Sequence, residues 1–239
     1  MARPKTPFRF KQFSVDDSNC SMKVGTDGVL LGAWADVTNS NRILDIGTGS
    51  GVIALMLAQR SASTTQIDAV EMEEADANQA KENFTKSPWC TKLTVIHSSI
   101  QEFKPNQGYD LIVSNPPFFI NSFLPPSKNR SSARHTQTLD YTDLLRATNE
   151  LLTKAGRFCV ILPTQEGHTF QAMAKTVGLH LTRATAFFSK RTKPQERWLV
   201  EFSYQDVPTR RDDLILYDDR GNWSTEYKEL TSDFYLDKH

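Results

Sequence analysis

Tyr109 to Ser114 is a short apolar run of strand length that stops at Asn115-Pro116-Pro117-Phe118. Those four residue types suit one chemical task, holding a planar exocyclic amine against an electrophile. Asn115 offers a side-chain carbonyl, and Pro116, with no N–H of its own, presents a carbonyl free of the strand ladder. Two acceptors aimed at one NH2 group draw its lone pair out of conjugation. Phe118 adds a flat face on which a base stacks, worth ~1–3 kcal/mol in single-stranded recognition. A Pro-rich strand-to-loop turn without chemistry uses the same residues, so the turn needs corroboration from elsewhere in the chain.

A second segment supplies it. Ile43 to Ile46 is apolar and of strand length, Val52 to Ala58 is an apolar helix, and Gly47, Gly49 and Gly51 fall between them. Glycine permits a tight turn and a close approach of backbone to ligand, with the following helix N-terminus alongside. Ile67 to Val70 is the next short strand, and Glu71 at its carboxyl end is spaced to take both ribose hydroxyls of a nucleoside cofactor. Asp68, on the same strand, reads as a solvated strand end. A nicotinamide site more usually reads G-x-G-x-x-G; this chain reads Asp45-x-Gly-x-Gly-x-Gly.

The Asp-first form resembles the first motif of class I S-adenosylmethionine-dependent methyltransferases. In that resemblance Asp45 orders the loop, Gly47 and Gly49 pass the methionine moiety, and Glu71 binds the ribose. Met22 to Trp34 narrows the family. On residue chemistry alone Thr26 or Asp27 caps the helix that follows. Taken with Leu44–Gly51 and Asn115–Phe118, the segment resembles the bacterial family that methylates N6 of adenine 37 in valine tRNA 1. The likeness continues through Ala133–Asp140 and Tyr227–Leu236, and so spans nearly the whole chain. It implies that Lys23, Gly25, Thr26 and Asp27 cover the methionine end of the cofactor, and that Ser99 and Ile100 lie at its adenine. It implies an enzyme that uses S-adenosylmethionine on the anticodon loop of a tRNA in the cytoplasm. Two positions depart from the pattern. Ser99 stands where many adenine methyltransferases carry an Asp, exchanging a carboxylate for a weaker acceptor. Phe118 stands where Tyr is common, keeping the stacking face without the phenol.

Other acceptors stay open at this level. Glutamine N5 methyltransferases of release factors also end a strand in Asn-Pro-Pro-aromatic, and guanine N2 enzymes of ribosomal RNA often show Asn-Pro-Pro-Phe. A non-catalytic RNA-binding module that kept the cofactor fold is a further reading.

Composition bounds the rest. The chain has 239 residues, 38% hydrophobic and 23% charged, as in a soluble globular protein, with 28 basic against 28 acidic residues. A zero balance argues against tight indiscriminate RNA binding, but the basic residues cluster. Arg9 and Lys11 belong to an N-terminal arm without acids. Lys128, Arg130 and Arg134, with His135 beside them, follow the reactive turn, and Lys190, Arg191, Lys193 and Arg197 form a third group. All are candidate RNA contacts. Cys20, Cys90 and Cys159 are isolated, and the five histidines have no metal-ligand spacing, so no metal is assigned. No apolar run reaches membrane-spanning length. The oligomeric state is not legible.

Strands are expected near 43–46, 67–71, 93–97, 110–114 and 157–162, with helices between several of them. That alternation predicts an α/β fold with a mostly parallel sheet and helices on both faces. The segments 180–188 and 197–204 are joined too briefly for a crossover and are expected to pair antiparallel at one end of the sheet. The resulting seven strands match the Rossmann-like fold the resemblance implies. One domain is expected over 1–239, with an N-terminal arm and covering segment at 1–34, a core at 35–205 and a C-terminal extension at 206–239.

Overall fold

From the N-terminus a two-residue pair, β1 (Phe8–Arg9) and β2 (Ser14–Val15), precedes α1 (Thr26–Trp34), β3 (Arg42–Ile46) and α2 (Val52–Arg60). Then come β4 (Gln66–Glu71), α3 (Glu74–Thr85), β5 (Leu93–His97), β6 (Tyr109–Ser114) and α4 (Tyr141–Leu151). The chain closes with β7 (Leu152–Pro163), α5 (Thr164–Thr176), β8 (His180–Lys190), β9 (Arg197–Ser203), β10 (Arg210–Tyr217) and α6 (Thr225–Thr231). The structure is a computed structural model and describes residues 6–117 and 139–236.

Eight strands make one sheet in the order β10-β8-β9-β7-β6-β3-β4-β5. β9 runs antiparallel to both its neighbours, and the remaining pairings are parallel. Because side chains alternate along a strand, each strand feeds two cores. Ile43, Leu111, Val113 and Ile161 pack with α1, α2 and α6 on one face; Leu44, Ile112, Phe158 and Val160 pack with α4 and α5 on the other. Both faces are covered, as parallel strands require.

The seven expected strands are present. β7 starts at Leu152 rather than near 157, directly after α4, where a register irregularity opposite Tyr109 takes up the extra residues. The sheet nevertheless has an eighth strand. β10, from the C-terminal extension, pairs parallel with β8 and takes the edge expected for the β8–β9 pair. Its first four residues, Arg210 to Asp213, are exposed and charged, so no period-two pattern announces it, and such charges suit an edge strand.

Two local expectations are corrected. Gly25, in extended conformation, is the N-cap of α1 and makes no side-chain cap bond, so neither Thr26 nor Asp27 caps that helix. Asp68 is not a solvated strand end: its Oδ2 accepts from Arg42 at 2.9 Å and from the Tyr109 hydroxyl at 2.7 Å.

Candidate active site

The strand order reverses direction between β3 and β6, and ligands of open α/β sheets bind at the carboxyl ends of strands at such a point. Ile46 and Ser114 are register partners there, and the Ser114 hydroxyl donates to the Ile46 carbonyl at 2.9 Å. The chain therefore leaves both strands side by side, into Gly47 on one and Asn115 on the other. A cavity of about 520 Å³ opens between them, lined by Gly47, Gly49, Glu71, Asn115 and Pro117. Asn115 Oδ1 is buried and has no hydrogen-bond partner among the described residues. An orphaned acceptor in such a place is expensive unless a ligand donor meets it. Pro116 is buried and Pro117 exposed; Phe118 lies outside the described residues.

The glycine loop is built for a ligand. The Gly47 and Thr48 amides both donate to the Val70 carbonyl, at 2.9 and 3.2 Å, which ties the loop to β4. Gly47 and Gly49 have φ of +70° and +55°, and a Cβ at either would meet nothing within 4 Å. Both glycines line the cavity. Glu71, almost fully buried, accepts from the Gly49 amide through Oε2 at 2.9 Å and from the Glu73 amide through Oε1 at 3.0 Å. Its carboxylate is thus fixed on the cavity wall, with the half-exposed Met72 and the buried Ile100 as apolar surface beside it. The cradle, the fixed acid and a volume within the usual range for small-ligand sites fit a nucleoside cofactor with a flexible amino-acid tail.

Asp45 sits beneath this loop, wholly buried. Its Oδ2 accepts from the Thr48 hydroxyl at 2.6 Å and its Oδ1 is without a hydrogen-bond partner among the described residues. Burial pushes its pKa up to about 7; the Thr48 hydroxyl and Ala54 amide oppose that shift and the Glu71 charge adds to it. The Cys20 thiol also lines the cavity, and burial together with Asp76 raises it to about 12, so no thiolate competes as a nucleophile there.

The other candidates divide. Ile100 lines the cavity. Ser99 does not: its hydroxyl donates to Glu102 at 3.1 Å, and Ser98 faces the cavity instead. Lys23 turns away to the carbonyls of Asp17 and Cys20, holding the preceding loop. Asp27 pairs with Arg197 at 2.9 Å, joining a residue expected at the cofactor to one expected at RNA. Lys190, Arg191 and Lys193 are exposed around the β8–β9 turn, on the same carboxyl edge as Asn115. Arg9 and Lys11 are exposed on the β1–β2 unit, where Phe13 packs on Trp89 just before β5, at the opposite edge. Lys128, Arg130, Arg134 and His135 lie outside the described residues. Asn19 to Met22 and Asp76 line another wall of the cavity; the covering segment expected at 1–34 contains the first four, but none of the five was an expected site residue.

Comparison with known proteins decides the family. A methyltransferase small domain matches residues 24–186. A protein of Bacteroides thetaiotaomicron named tRNA1(Val) (adenine(37)-N6)-methyltransferase is 43% identical over 229 residues, covering 96% of this chain and 97% of its own length. One of Aeromonas hydrophila with the same name is 46% identical over 231 residues, with coverages of 96% and 97%. The chain belongs to the tRNA1(Val) (adenine(37)-N6)-methyltransferase family. Among solved structures, a predicted O-methyltransferase of Agrobacterium tumefaciens superposes with a TM-score of 0.64 at 16% identity, over 87% of this chain and 96% of that one. That likeness shows the α/β methyltransferase fold. Among the described residues no helix is long and apolar enough to cross a membrane.

Proposed function

We infer that this chain transfers a methyl group from S-adenosylmethionine to the N6 amine of adenine in tRNA, at adenine 37 in the anticodon loop of tRNA1(Val). The single observation that carries the chemistry is Asn115 on the cavity wall beside the glycine loop, its buried Oδ1 without a hydrogen-bond partner among the described residues. The family's near full-length relatives carry the nucleoside and the RNA, and favour adenine over a guanine or glutamine acceptor.

When bound, S-adenosylmethionine would supply a methyl group activated by a positive sulfur, the carbon–sulfur bond breaking as the carbon–nitrogen bond forms and the sulfur leaving as a neutral thioether. Glu71 would hold its ribose, Gly47 and Gly49 would leave room for its methionine end, and Met72 and Ile100 would offer apolar surface to its base. Asn115 Oδ1 and the Pro116 carbonyl accept from the N6 amine of an extruded adenine, and Phe118 stacks on the ring. Extrusion from an unpaired loop costs about a few kcal/mol. As the amine nitrogen attacks, positive charge develops on it, and the two acceptors stabilise that charge more than they stabilise the ground state. A strong base is not required before attack, because the surplus proton leaves afterwards. Lys128, Arg130, Arg134 and His135, with Lys190, Arg191 and Lys193, serve the RNA backbone around that adenine. Residues 1–239 act as one methyltransferase domain.

Incubation with labelled S-adenosylmethionine and total tRNA, followed by nucleoside analysis and mapping, tests this. The expected product is N6-methyladenosine at one anticodon-loop position. Its absence from a preparation that binds the cofactor overturns the reading, and label that survives RNase in a protein fraction points to glutamine instead.

A further inference from the structure

Helix α3 buries two stripes. Ala77, Ala80 and Phe84 form the apolar one. Asp76, Gln79 and Asn83 are polar and no less buried, exposing 4%, 2% and 2% of their surface. Their spacing places them on one face of the helix, where apolar side chains would ordinarily pack. Each of them instead bonds residues 16–21, which form neither helix nor strand. Asp76 accepts from the Ser21 amide at 3.1 Å and from the Ser21 hydroxyl at 2.7 Å. Gln79 Oε1 accepts from the side-chain amide of Asn19 at 3.0 Å. Asn83 accepts from the Asp16 N–H at 3.0 Å and donates to the Asp16 carbonyl at 2.8 Å. The same Asn83 amide donates to the Ser50 carbonyl of the glycine loop at 2.8 Å, so one side chain links the start of the segment to that loop.

An irregular segment beside a cavity has backbone groups that need partners, and without them it samples many conformations. We propose that Asp76, Gln79 and Asn83 are positioning residues that clamp segment 16–22 as a preformed wall of the cofactor cavity. The proposal rests on the S-adenosylmethionine reading. The clamp raises the fraction of protein competent to bind, and apparent affinity scales with that fraction. It touches no group at the reacting nitrogen, so turnover at saturating cofactor is independent of it.

Calorimetry with S-adenosylmethionine and hydrogen exchange of the cofactor-free protein test the proposal together. Asp76→Ala should raise the cofactor Kd on the order of tenfold and speed exchange of amides 16–22 by a similar factor. Amides of β3 and β6 should keep their protection, and kcat at saturation should stay within ~2-fold. Asp76→Asn should rescue both readouts, because a carboxamide accepts from the Ser21 amide and donates to the Ser21 hydroxyl. If Asp76→Ala fails to fold, Ser21→Ala, which leaves α3 intact, should show the same split at lower amplitude. Unchanged exchange in segment 16–22, an unchanged Kd, or an Asp76→Asn as impaired as the Ala variant overturns the clamp. Parent protein that does not bind S-adenosylmethionine overturns the functional reading instead, while the exchange data still judge the clamp.

Discussion

At the scale of single residues, the site separates into groups that meet the reacting amine and groups that hold the donor, and kinetics should separate them in the same way. Asn115→Ala removes one of the two acceptors, so kcat should fall ~10²-fold or more with cofactor affinity little changed. Near-normal turnover would reduce Asn115 to a turn residue. Glu71→Ala removes both the ribose acceptor and the bonds to the Gly49 and Glu73 amides, so the cofactor Michaelis constant should rise at least tenfold with a smaller change in kcat. Asp45 adds a pH dependence. Its carboxyl is raised from 3.8 to about 7 by burial, so between those values the folded state binds the proton that the unfolded state has lost. Stability falls as pH rises through that window, because the neutral buried form is favoured below it and the charged form must be buried above it. Asp45→Asn lacks this penalty, so its stability relative to the parent should climb by up to about a few kcal/mol between pH 4 and 7 and then level off. Parallel denaturation midpoints for the two proteins across that range would refute the assignment.

At the scale of elements, α1 and α2 form the floor on which both the covering segment and the glycine loop rest. All of α1 from Gly28 to Trp34 is buried, and at Gly32 a Cβ would come within 2.9 Å of the Met56 Cβ and 2.8 Å of its sulfur. The sulfur end can swing aside; the Cβ of Met56 cannot without moving α2. Gly32→Val should therefore destabilise by ~1–3 kcal/mol in urea unfolding with an unchanged m-value. A wild-type midpoint would mean that α1 and α2 can slide apart freely. The Asp27–Arg197 pair, partly buried at 2.9 Å, fastens the start of α1 to the start of β9. It makes Arg197 a strut between elements, a role that counting basic residues in sequence does not reveal.

For the whole molecule the issue is how a chain with no net charge holds a polyanion. Basic residues at the β8–β9 turn share the carboxyl edge with Asn115, while those of the N-terminal arm do not. Each phosphate contact to a single strand adds ~0.7 to the slope of log affinity against log salt. Replacing Lys128, Arg130 and Arg134 together with Ala should weaken tRNA binding and flatten that slope by about two units, with S-adenosylmethionine affinity untouched. Filter binding across a salt series measures it. Equal slopes for variant and parent would shift the RNA path to Lys190, Arg191 and Lys193, whose triple replacement is the matching control.

What the amino-acid sequence determined by itself is local and covalent. Strand length and apolar period placed β3 to β6, β8 and β9 within two residues but left out the first five residues of β7, and Asn115-Pro116-Pro117 and the three glycines of the loop announced themselves because their chemistry depends on neighbours along the chain. Tertiary structure decided what depends on distant partners. Asp27 answers Arg197, 170 residues away, while Ser99 faces Glu102 and Lys23 serves the carbonyls of Asp17 and Cys20, near neighbours that only the folded path of the loop brings within reach. The eighth strand was hidden because its first half is charged and its pairing with β8 supplies the order that its own pattern lacks. The polar stripe of α3 was written in the sequence at 76, 79 and 83, but nothing in its spacing tells a solvated face from a buried one. Only the segment folded across it, whose backbone groups at Asp16 and Ser21 take their partners from that stripe, makes that face an interior and gives the cavity a wall.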